Sequence, residues 1–322
     1  MILIYFIFIY ILILGILLKY SKWDTFENNS QNYYVSVEDN GEWGYPFLKK
    51  IIPKVLSDKN VVFKQVAEPD LIVKSIFGKR DDVIKKRNKY ITIIGEAYSE
   101  YDRGILNFTS LLPKYKNEIW FPHICWHITS ERIITLKQKK FKQINERDNF
   151  LIYLACNCVP ERDLFFKLID KKHTGCHAGG KCCNNINLGD KFGRDSFKNN
   201  SVIFNNYKFV LCMENEYTPG YITEKILNAY LGGSIPIYKG DTETVNKFFN
   251  PKSFINIDNY KNFEECIDYI IDLSNDPKRM YDIQQMNIFK DGKVPEEFLY
   301  NEKDSKFVKD TVDKINALGI DF

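Results

Sequence analysis

The sequence has almost no excess charge of either sign. Its 322 residues include 45 lysines and arginines against 42 aspartates and glutamates, which gives a formal net charge of +3. Proteins that bind nucleic acid need a basic surface to neutralise phosphates, so this balance argues against a nucleic-acid partner. The basic runs at 85–89 and 137–142 are interpreted as solvated surface. The chain also shows no repeat of the period that builds a solenoid.

The compositional bias of disordered proteins is missing as well. Apolar residues make up 44% of the chain and charged residues 27%, and both values are typical of globular domains. A chain of this length can bury enough apolar surface for two domains of ordinary size. Disorder is therefore not expected over most of the sequence.

The eight cysteines lack the paired C-x2-C spacing of common zinc domains. Histidines and cysteines do crowd together between 173 and 183, and they could bind zinc if this segment folded as a knuckle. The segment is glycine-rich and loop-like, so a loop with a disulfide is the favoured interpretation. His123 and His127 flank Trp126 in an aromatic segment and are interpreted as packing or acceptor-side residues. The crowded residues are His173, Cys176, His177, Cys182 and Cys183.

An unbroken apolar run extends from Ile2 to Leu18. As a helix it would be roughly 25 Å long, slightly short of a membrane core of about 30 Å. A cleavable signal peptide is the alternative, but the run exceeds a usual hydrophobic region and no small-x-small cleavage site follows it. We therefore expect a transmembrane signal anchor at 1–19 and a short stem at 20–31. Charge alone would place the carboxyl side in the cytoplasm, because lysines follow the run and none precede it.

The part of the chain after the stem alternates strand-like segments with helical or loop segments. The segments at 61–64, 70–77 and 90–96 are apolar and β-rich. Such alternation predicts a Rossmann-like domain over residues 32–145. Glu96 follows the third strand directly, so it is expected at the strand edge where open α/β sheets hold their ligands. A basic, polar linker is expected to end this domain.

A second unit over residues 150–293 is predicted to open with the apolar strand FLIYLACN. A helix then begins at Pro160, a position where proline is well tolerated. Arg162 falls in its first turn, where the helix dipole disfavours a cation unless an anion binds there. A local charge cluster with Glu161 and Asp163 is the alternative interpretation.

The segment from Tyr207 to Tyr238 carries the most specific pattern in the chain. It reads as strand, turn-forming loop, helix, glycine stop and second strand. Lys225 lies in the first helical turn and repeats the arrangement of Arg162. Two such cations at strand carboxyl ends can converge on a diphosphate. The alternative is a solvated lysine paired with Glu224.

This segment resembles the signature of glycosyltransferase family 10, the α1,3/α1,4-fucosyltransferases. The segments at 68–79, 91–96 and 248–260 resemble further family blocks. Met213 departs from the family pattern, which usually has phenylalanine there. Asn157, Cys158 and Arg162 match the family's SNCxxxR block. The positions of the signature in register are Tyr207, Lys208, Phe209, Glu214, Asn215, Tyr221, Thr223, Glu224, Lys225, Ala229, Pro236 and Gly240.

The resemblance implies an α/β fold of the GT-B type, with two facing Rossmann-like domains and an N-terminal transmembrane helix. The first domain would bind the acceptor and the second the donor, and a helical tail would follow at 294–322. It further implies a single-pass type II protein with its catalytic domain in the Golgi lumen. The implied reaction moves L-fucose, with inversion, from GDP-β-L-fucose to an N-acetylglucosamine-containing glycan on a glycoprotein or glycolipid. An α1,3 linkage fits the family best.

The resemblance also implies the catalytic base. Glu96 matches the glutamate of the family's TGE block, and a glutamate is ionised at neutral pH, so it can take a proton from the acceptor hydroxyl. The alternative is that Glu96 only binds the acceptor or caps a turn, since Ala97 departs from the family's usual asparagine. His123, His127 and Glu100 are the next candidates for the base.

The donor-site residues are implied in the same way. Arg162 and Lys225 would bind the diphosphate of the donor, and such fixed charge is usually the largest catalytic contribution. Tyr221 and Glu224 would contact the ribose or the fucose, and Asn215 would hold the loop or the donor. The donor loop has no Asp-x-Asp pair, so no cofactor is expected to be required and a divalent cation would at most stimulate. The rival functions are transfer of another sugar or to another acceptor, and an inactive membrane-anchored glycan-binding module.

Overall fold

The computed structural model describes residues 32–38, 45–76, 89–188, 200–300, 305–320 and 322. The anchor and the stem predicted for residues 1–31 lie outside these ranges. Within them, no helix combines the length and the apolar character needed to cross a membrane.

Parallel strands form a first sheet in the order β2-β1-β3-β4-β5-β6. Helix α1 (Tyr45–Val55) buries Phe47, Leu48 and Ile51 in the core of this half. A 3-10 helix (His123–His127) and helix α2 (Ser130–Gln138) follow the last strand. The strands are β1 (Asn32–Val37), β2 (Asn60–Phe63), β3 (Leu71–Ser75), β4 (Tyr90–Ile94), β5 (Leu106–Thr109) and β6 (Glu118–Trp120).

A second parallel sheet has the order β11-β10-β9-β7-β8. The chain runs outward from β7 to β8 and returns on the other side of β7 as β9. The strand order therefore reverses between β7 and β9, which is where open α/β sheets form a ligand crevice. The strands are β7 (Asn149–Ala155), β8 (Cys176–Gly180), β9 (Tyr207–Met213), β10 (Ile235–Lys239) and β11 (Ile255–Asn256).

Helices cover the second sheet on both sides, which explains the nearly continuous burial of β7 and β9. Several helices begin at a side chain that accepts a backbone N–H of the first turn, as Thr223, Asn262 and Asp276 do. The helices are α3 (Pro160–Lys172), α4 (Asn200–Phe204), α5 (Glu224–Leu231), α6 (Thr242–Phe248), α7 (Phe263–Ser274) and α8 (Pro277–Gln285).

The predicted α/β class with parallel sheets is confirmed, and the expected linker differs from its predicted character. The expected linker contains a 3-10 helix (Ile144–Glu146) and the buried Arg147, whose guanidinium donates to the carbonyls of Tyr207 and Gly232. These contacts attach the segment to the second sheet. The tail forms helix α9 (Lys306–Leu318), which packs against α1 of the first half.

Candidate active site

The carboxyl edges of the two sheets meet at Glu96 and Tyr221. Glu96 lies two residues beyond β4, and its backbone carbonyl accepts the Ser110 hydroxyl at 2.8 Å. The Tyr221 hydroxyl, from the loop between β9 and α5, donates to Glu96 Oε2 at 3.0 Å. Burial, followed by the nearby carboxylates of Glu214 and Glu96, raises the pKa of Tyr221 far above its usual range. The phenol therefore stays protonated and acts as a permanent donor to Glu96.

The loop that carries Tyr221 is held against the first half of the molecule. The Leu112 amide donates to the Pro219 carbonyl at 2.9 Å, and the Ile124 amide donates to the Ile222 carbonyl at 3.0 Å. Gly220 has φ +86°, and a Cβ there would lie 2.5 Å from the Leu112 nitrogen. Only glycine fits this close approach without displacing backbone.

Lys225 is fixed by a carboxylate that the sequence analysis did not assign a role. Glu214 is fully buried, and its Oε2 accepts Lys225 Nζ at 2.8 Å. Its Oε1 accepts the Thr223 amide at 2.8 Å, so Glu214 also fixes the start of α5. Burial opposes the lysine charge, but Glu214 and Glu224 outweigh it and raise the pKa of Lys225. The lysine is therefore charged and held by Glu214, so the alternative of a solvated lysine paired with Glu224 is not what is found.

Arg162 bridges the carboxyl ends of β7 and β9. Its Nη1 donates to Asn215 Oδ1 at 3.0 Å and to the Met213 carbonyl at 3.3 Å, and its Nη2 donates to the Asn157 carbonyl. The residue is 3% exposed. Nε is buried and has no hydrogen-bond partner among the described residues. Arg162 and Asn215 are thus held together, and the Nε–H group of Arg162 remains available as a hydrogen-bond donor.

The local charge cluster considered for Arg162 is not formed. Glu161 lies 3.9 Å from Lys239 Nζ, and Asp163 accepts the Tyr153 hydroxyl at 2.8 Å. Within the described ranges, no ion pair includes the Arg162 guanidinium. Its charge also acts on Lys225, whose pKa it lowers as a minor cause after burial and the carboxylates. Two cations thus converge at the switch point of the second sheet, and among the described residues only Lys225 has a carboxylate partner.

A disulfide joins Cys158 to Cys182 and decides the question of a zinc knuckle. It links the loop after β7 to the loop after β8, next to the Asn157 carbonyl that receives Arg162. Cys182 is therefore not a zinc ligand, and Cys176 and Cys183 are free thiols. Among the described residues, no potential metal-ligand group includes this segment. The favoured interpretation was right about a disulfide, but residues 176–180 form strand β8 and not a loop, because they pair with β7.

A different cluster was missed by the sequence analysis. His123 and His127 both point their Nε2 atoms at Glu224 Oε2, at 3.4 Å and 3.9 Å. Burial opposes the charge of Glu224, but Lys225 and the two histidines lower its pKa to about 2. The two histidines lie 97 and more positions before the glutamate in the sequence, so no local spacing could have connected them.

A protein-family model described as Glycosyltransferase family 10 (fucosyltransferase) C-term matches residues 144–285. Residues 144–285 are therefore similar to the carboxyl-terminal part of family 10 fucosyltransferases. Arg162, Asn215, Tyr221, Glu224 and Lys225 all lie inside this matched region, whereas Glu96 precedes it.

Curated relatives are similar to parts of the chain. Over 73 residues the chain is 53% identical to the α-(1,3)-fucosyltransferase FucT of Helicobacter pylori, which covers 23% of this chain and 15% of that protein. Over 154 residues it is 30% identical to the α-(1,4)-fucosyltransferase of Arabidopsis thaliana, covering 41% of this chain and 36% of that protein. The chain thus spans well under half the length of these relatives.

Solved structures share the fold over most of the chain. A crystal structure of an α1,3-fucosyltransferase matches with a TM-score of 0.65, covering 92% of both chains at 23% identity. A crystal structure of an α1,3-fucosyltransferase with GDP-fucose matches with a TM-score of 0.62, covering 89% of this chain and 90% of that chain. The two sheets and their helices therefore share the fold of these α1,3-fucosyltransferase structures.

Proposed function

We propose that this protein is an inverting fucosyltransferase. It moves L-fucose from GDP-β-L-fucose to a hydroxyl of an N-acetylglucosamine-containing glycan on a glycoprotein or glycolipid, with α1,3 linkage as the favoured product. The relatives and the structural neighbour with GDP-fucose support this donor. The site geometry supports one role for Arg162 and Lys225 and another for Glu96.

The observation that carries the proposal is the buried Arg162, a cation without a carboxylate partner among the described residues. An uncompensated buried charge is costly, and an anionic ligand would remove that cost. Arg162 is placed at the switch point with Nε unpartnered, and Lys225 adds a second charge nearby. Together they suit the two phosphates of a nucleoside diphosphate, whose negative charge grows as the glycosidic bond breaks.

Glu96 suits the role of the base because it lies on the opposite sheet from these cations. Inversion requires attack from the side of the sugar away from the leaving diphosphate. The acceptor oxygen would form its bond to the fucose anomeric carbon as its proton passes to the Glu96 carboxylate. The bond from that carbon to the diphosphate breaks, and the electron pair leaves with GDP.

The remaining donor-site residues take narrower roles than the resemblance implies. Asn215 positions Arg162 through its side-chain oxygen. Tyr221 positions Glu96 through its hydroxyl, and the ionised Glu224 could accept a hydroxyl of the ribose or the fucose. We propose that no divalent cation is required, because Arg162 and Lys225 supply fixed positive charge.

A transfer assay with GDP-fucose and a glycan panel, followed by linkage analysis of the product, tests the function. Glu96→Gln should lower turnover by roughly 10²–10⁴-fold while the affinity for GDP, titrated by calorimetry, stays near that of the parent.

Arg162→Ala and Lys225→Ala should each weaken GDP binding by about 1–3 kcal/mol. Transferase activity should remain after treatment with EDTA.

The rival functions make different predictions in the same assay. A transferase for another nucleotide sugar would turn over a different member of a donor panel. An inactive glycan-binding module would bind glycan but release no GDP. Normal turnover by Glu96→Gln would remove Glu96 as the base, and unchanged GDP affinity in both cation variants would remove the diphosphate site.

We also propose a Golgi membrane location with a single N-terminal anchor and a lumenal catalytic part. This proposal is supported by the apolar run at 2–18 and by the family resemblance. The Cys158–Cys182 disulfide is compatible with an oxidising lumen.

A further inference from the structure

Three side chains of metal-ligand type meet in the cleft beside the proposed donor site. His123 and His127 come from the 3-10 helix of the first half, and Glu224 is the first residue of α5 in the second half. The nitrogen and oxygen atoms that they offer all lie within 4.8 Å of one another. Their side chains are 22%, 13% and 18% exposed, in that order, so solvent can reach the cluster.

The hydrogen bonding of His123 directs its Nε2 atom at Glu224. His123 Nδ1 lies 2.8 Å from the Gly95 carbonyl, and a carbonyl oxygen can only accept. Nδ1 therefore carries a proton, and Nε2 is the ring atom that can give up its proton to bind a metal ion. That Nε2 atom lies 3.4 Å from Glu224 Oε2, so two potential ligand atoms face each other.

His127 adds a third potential ligand atom beside these two. Its Nε2 is buried, lies 3.9 Å from Glu224 Oε2, and has no hydrogen-bond partner among the described residues. The two imidazole rings are nearly parallel, with an interplanar angle of 10° and centroids 5.4 Å apart. Three atoms of metal-ligand type thus converge, and a metal ion between them would give the buried Nε2 of His127 a partner.

We propose that His123, His127 and Glu224 bind one divalent transition-metal ion, with Zn²⁺ the best-matched. Two imidazole nitrogens and one carboxylate oxygen form a common zinc ligand set. Imidazole also suits Co²⁺, Ni²⁺ and Cu²⁺, whereas Mg²⁺ and Ca²⁺ prefer oxygen ligands. The Gly95 carbonyl fixes the ring of His123, as outer partners of metal-binding histidines do. The ion joins the two halves of the molecule.

Calorimetric titration of the EDTA-treated full chain with Zn²⁺ alone tests the site. We expect one ion per chain for the parent, no binding heat with Mg²⁺, and a higher thermal midpoint with Zn²⁺. The variants His123→Gln, His127→Gln and Glu224→Gln should each lose at least about 10- to 100-fold in affinity, the range seen when even an outer partner is removed. His173→Gln is the matched control and should bind like the parent.

Titration with Co²⁺ identifies the ligands independently. Visible ligand-field bands without thiolate charge-transfer absorption are expected, because no cysteine takes part. Circular dichroism checks that each variant folds, and three separate variants leave at least one measurable if another does not fold. Parent-like affinity in any folded ligand variant, a thiolate spectrum, or no Zn²⁺ binding by the parent would overturn the proposal.

Discussion

Buried carboxylates hold polar groups in place in both halves of the molecule. Glu214 holds Lys225 and the start of α5. Glu118, which is 3% exposed, accepts the Tyr101 hydroxyl at 2.5 Å and the Lys114 amide at 2.7 Å. Tyr101 belongs to the loop that follows Glu96. Glu214 therefore holds Lys225 directly, and Glu118 holds the loop that follows Glu96.

The hydroxyl of Tyr221 is predicted to position Glu96 rather than to bind the donor. Tyr221→Phe removes one hydrogen bond to a carboxylate, a contact worth about 1.5–3 kcal/mol, so turnover should fall by about 10- to 100-fold. The affinity for GDP and the KM for the sugar donor should change little in steady-state kinetics. Tyr98→Phe, at an exposed tyrosine two residues from Glu96, is the control. A raised donor KM with unchanged turnover would assign Tyr221 to the donor instead.

Glu118 should make the stability of the protein sensitive to acid. Burial opposes its ionisation, but bonds from Tyr101, the amides of Lys114 and Tyr115, and Arg103 lower the pKa of Glu118. The unfolded chain then takes up this proton first as the pH falls. The stabilisation is present above the ordinary pKa of about 4.3 and is lost as the pH falls through the lower folded pKa.

Urea unfolding of Glu118→Gln measures this contribution. At about pH 7 the variant should be less stable than the parent by roughly 1.5–3 kcal/mol. At about pH 3 the difference should shrink, because the parent then begins to lose the same carboxylate. Glu100→Gln, at an exposed position, should match the parent throughout. A difference that does not depend on pH would show that charge is not the cause.

At the scale of elements, two helices begin where strands of the second sheet end, and each presents a cation there. The first turn of α3 carries Arg162 and the first turn of α5 carries Lys225. The Cys158–Cys182 disulfide holds the loop before α3. The Asn157 carbonyl of this loop accepts a hydrogen bond from Arg162, so the conformation of the loop affects the position of the Arg162 side chain.

Removing the disulfide should affect stability and donor binding together. Cys158→Ser opens a loop closed over 24 residues and should lower the free energy of unfolding by roughly 2–4 kcal/mol. GDP affinity should fall as well, because the Asn157 carbonyl is no longer held. Cys156→Ser in the same loop changes an exposed free thiol and should leave both quantities as in the parent. Equal effects of the two variants on stability and on GDP affinity would show that loss of the disulfide is not the cause.

At the scale of the whole molecule, side chains from both halves pack into a common hydrophobic cluster. Helix α9 returns from the second half to the first, where Lys314 Nζ donates to the Glu118 carbonyl at 2.7 Å. The rings of Phe121 and Phe307 lie 5.6 Å apart, although the first belongs to the end of the first half and the second to α9. The carboxyl-terminal helix is therefore part of the half that carries Glu96.

The folded halves should work without the apolar run at the amino terminus. The first strand described begins at Asn32, so deletion of residues 1–22 should give a protein that keeps transferase activity with GDP-fucose. The same deletion combined with Glu96→Gln is the inactive control. A truncated protein that folds, as judged by circular dichroism, but has no turnover would make the anchor part of the active unit.

The elements were largely predictable because their signals are local. Apolar runs and turn residues marked β7 and β9, and the predicted strand at 70–77 is observed as Leu71–Ser75. Pro160 correctly marked the start of α3. The ends were less accurate, since hydrogen bonding between neighbouring strands decides where each strand stops.

By itself the sequence determined the α/β class, the family signature and the helix starts that carry Arg162 and Lys225, because each depends on residues close together in the chain. Only the tertiary structure decided that Tyr221 reaches Glu96 over a separation of 125 residues. The same holds for the disulfide partner of Cys158 and for the meeting of His123 with Glu224. Such pairs depend on how two sheets order their strands and face each other, which no local period or spacing encodes.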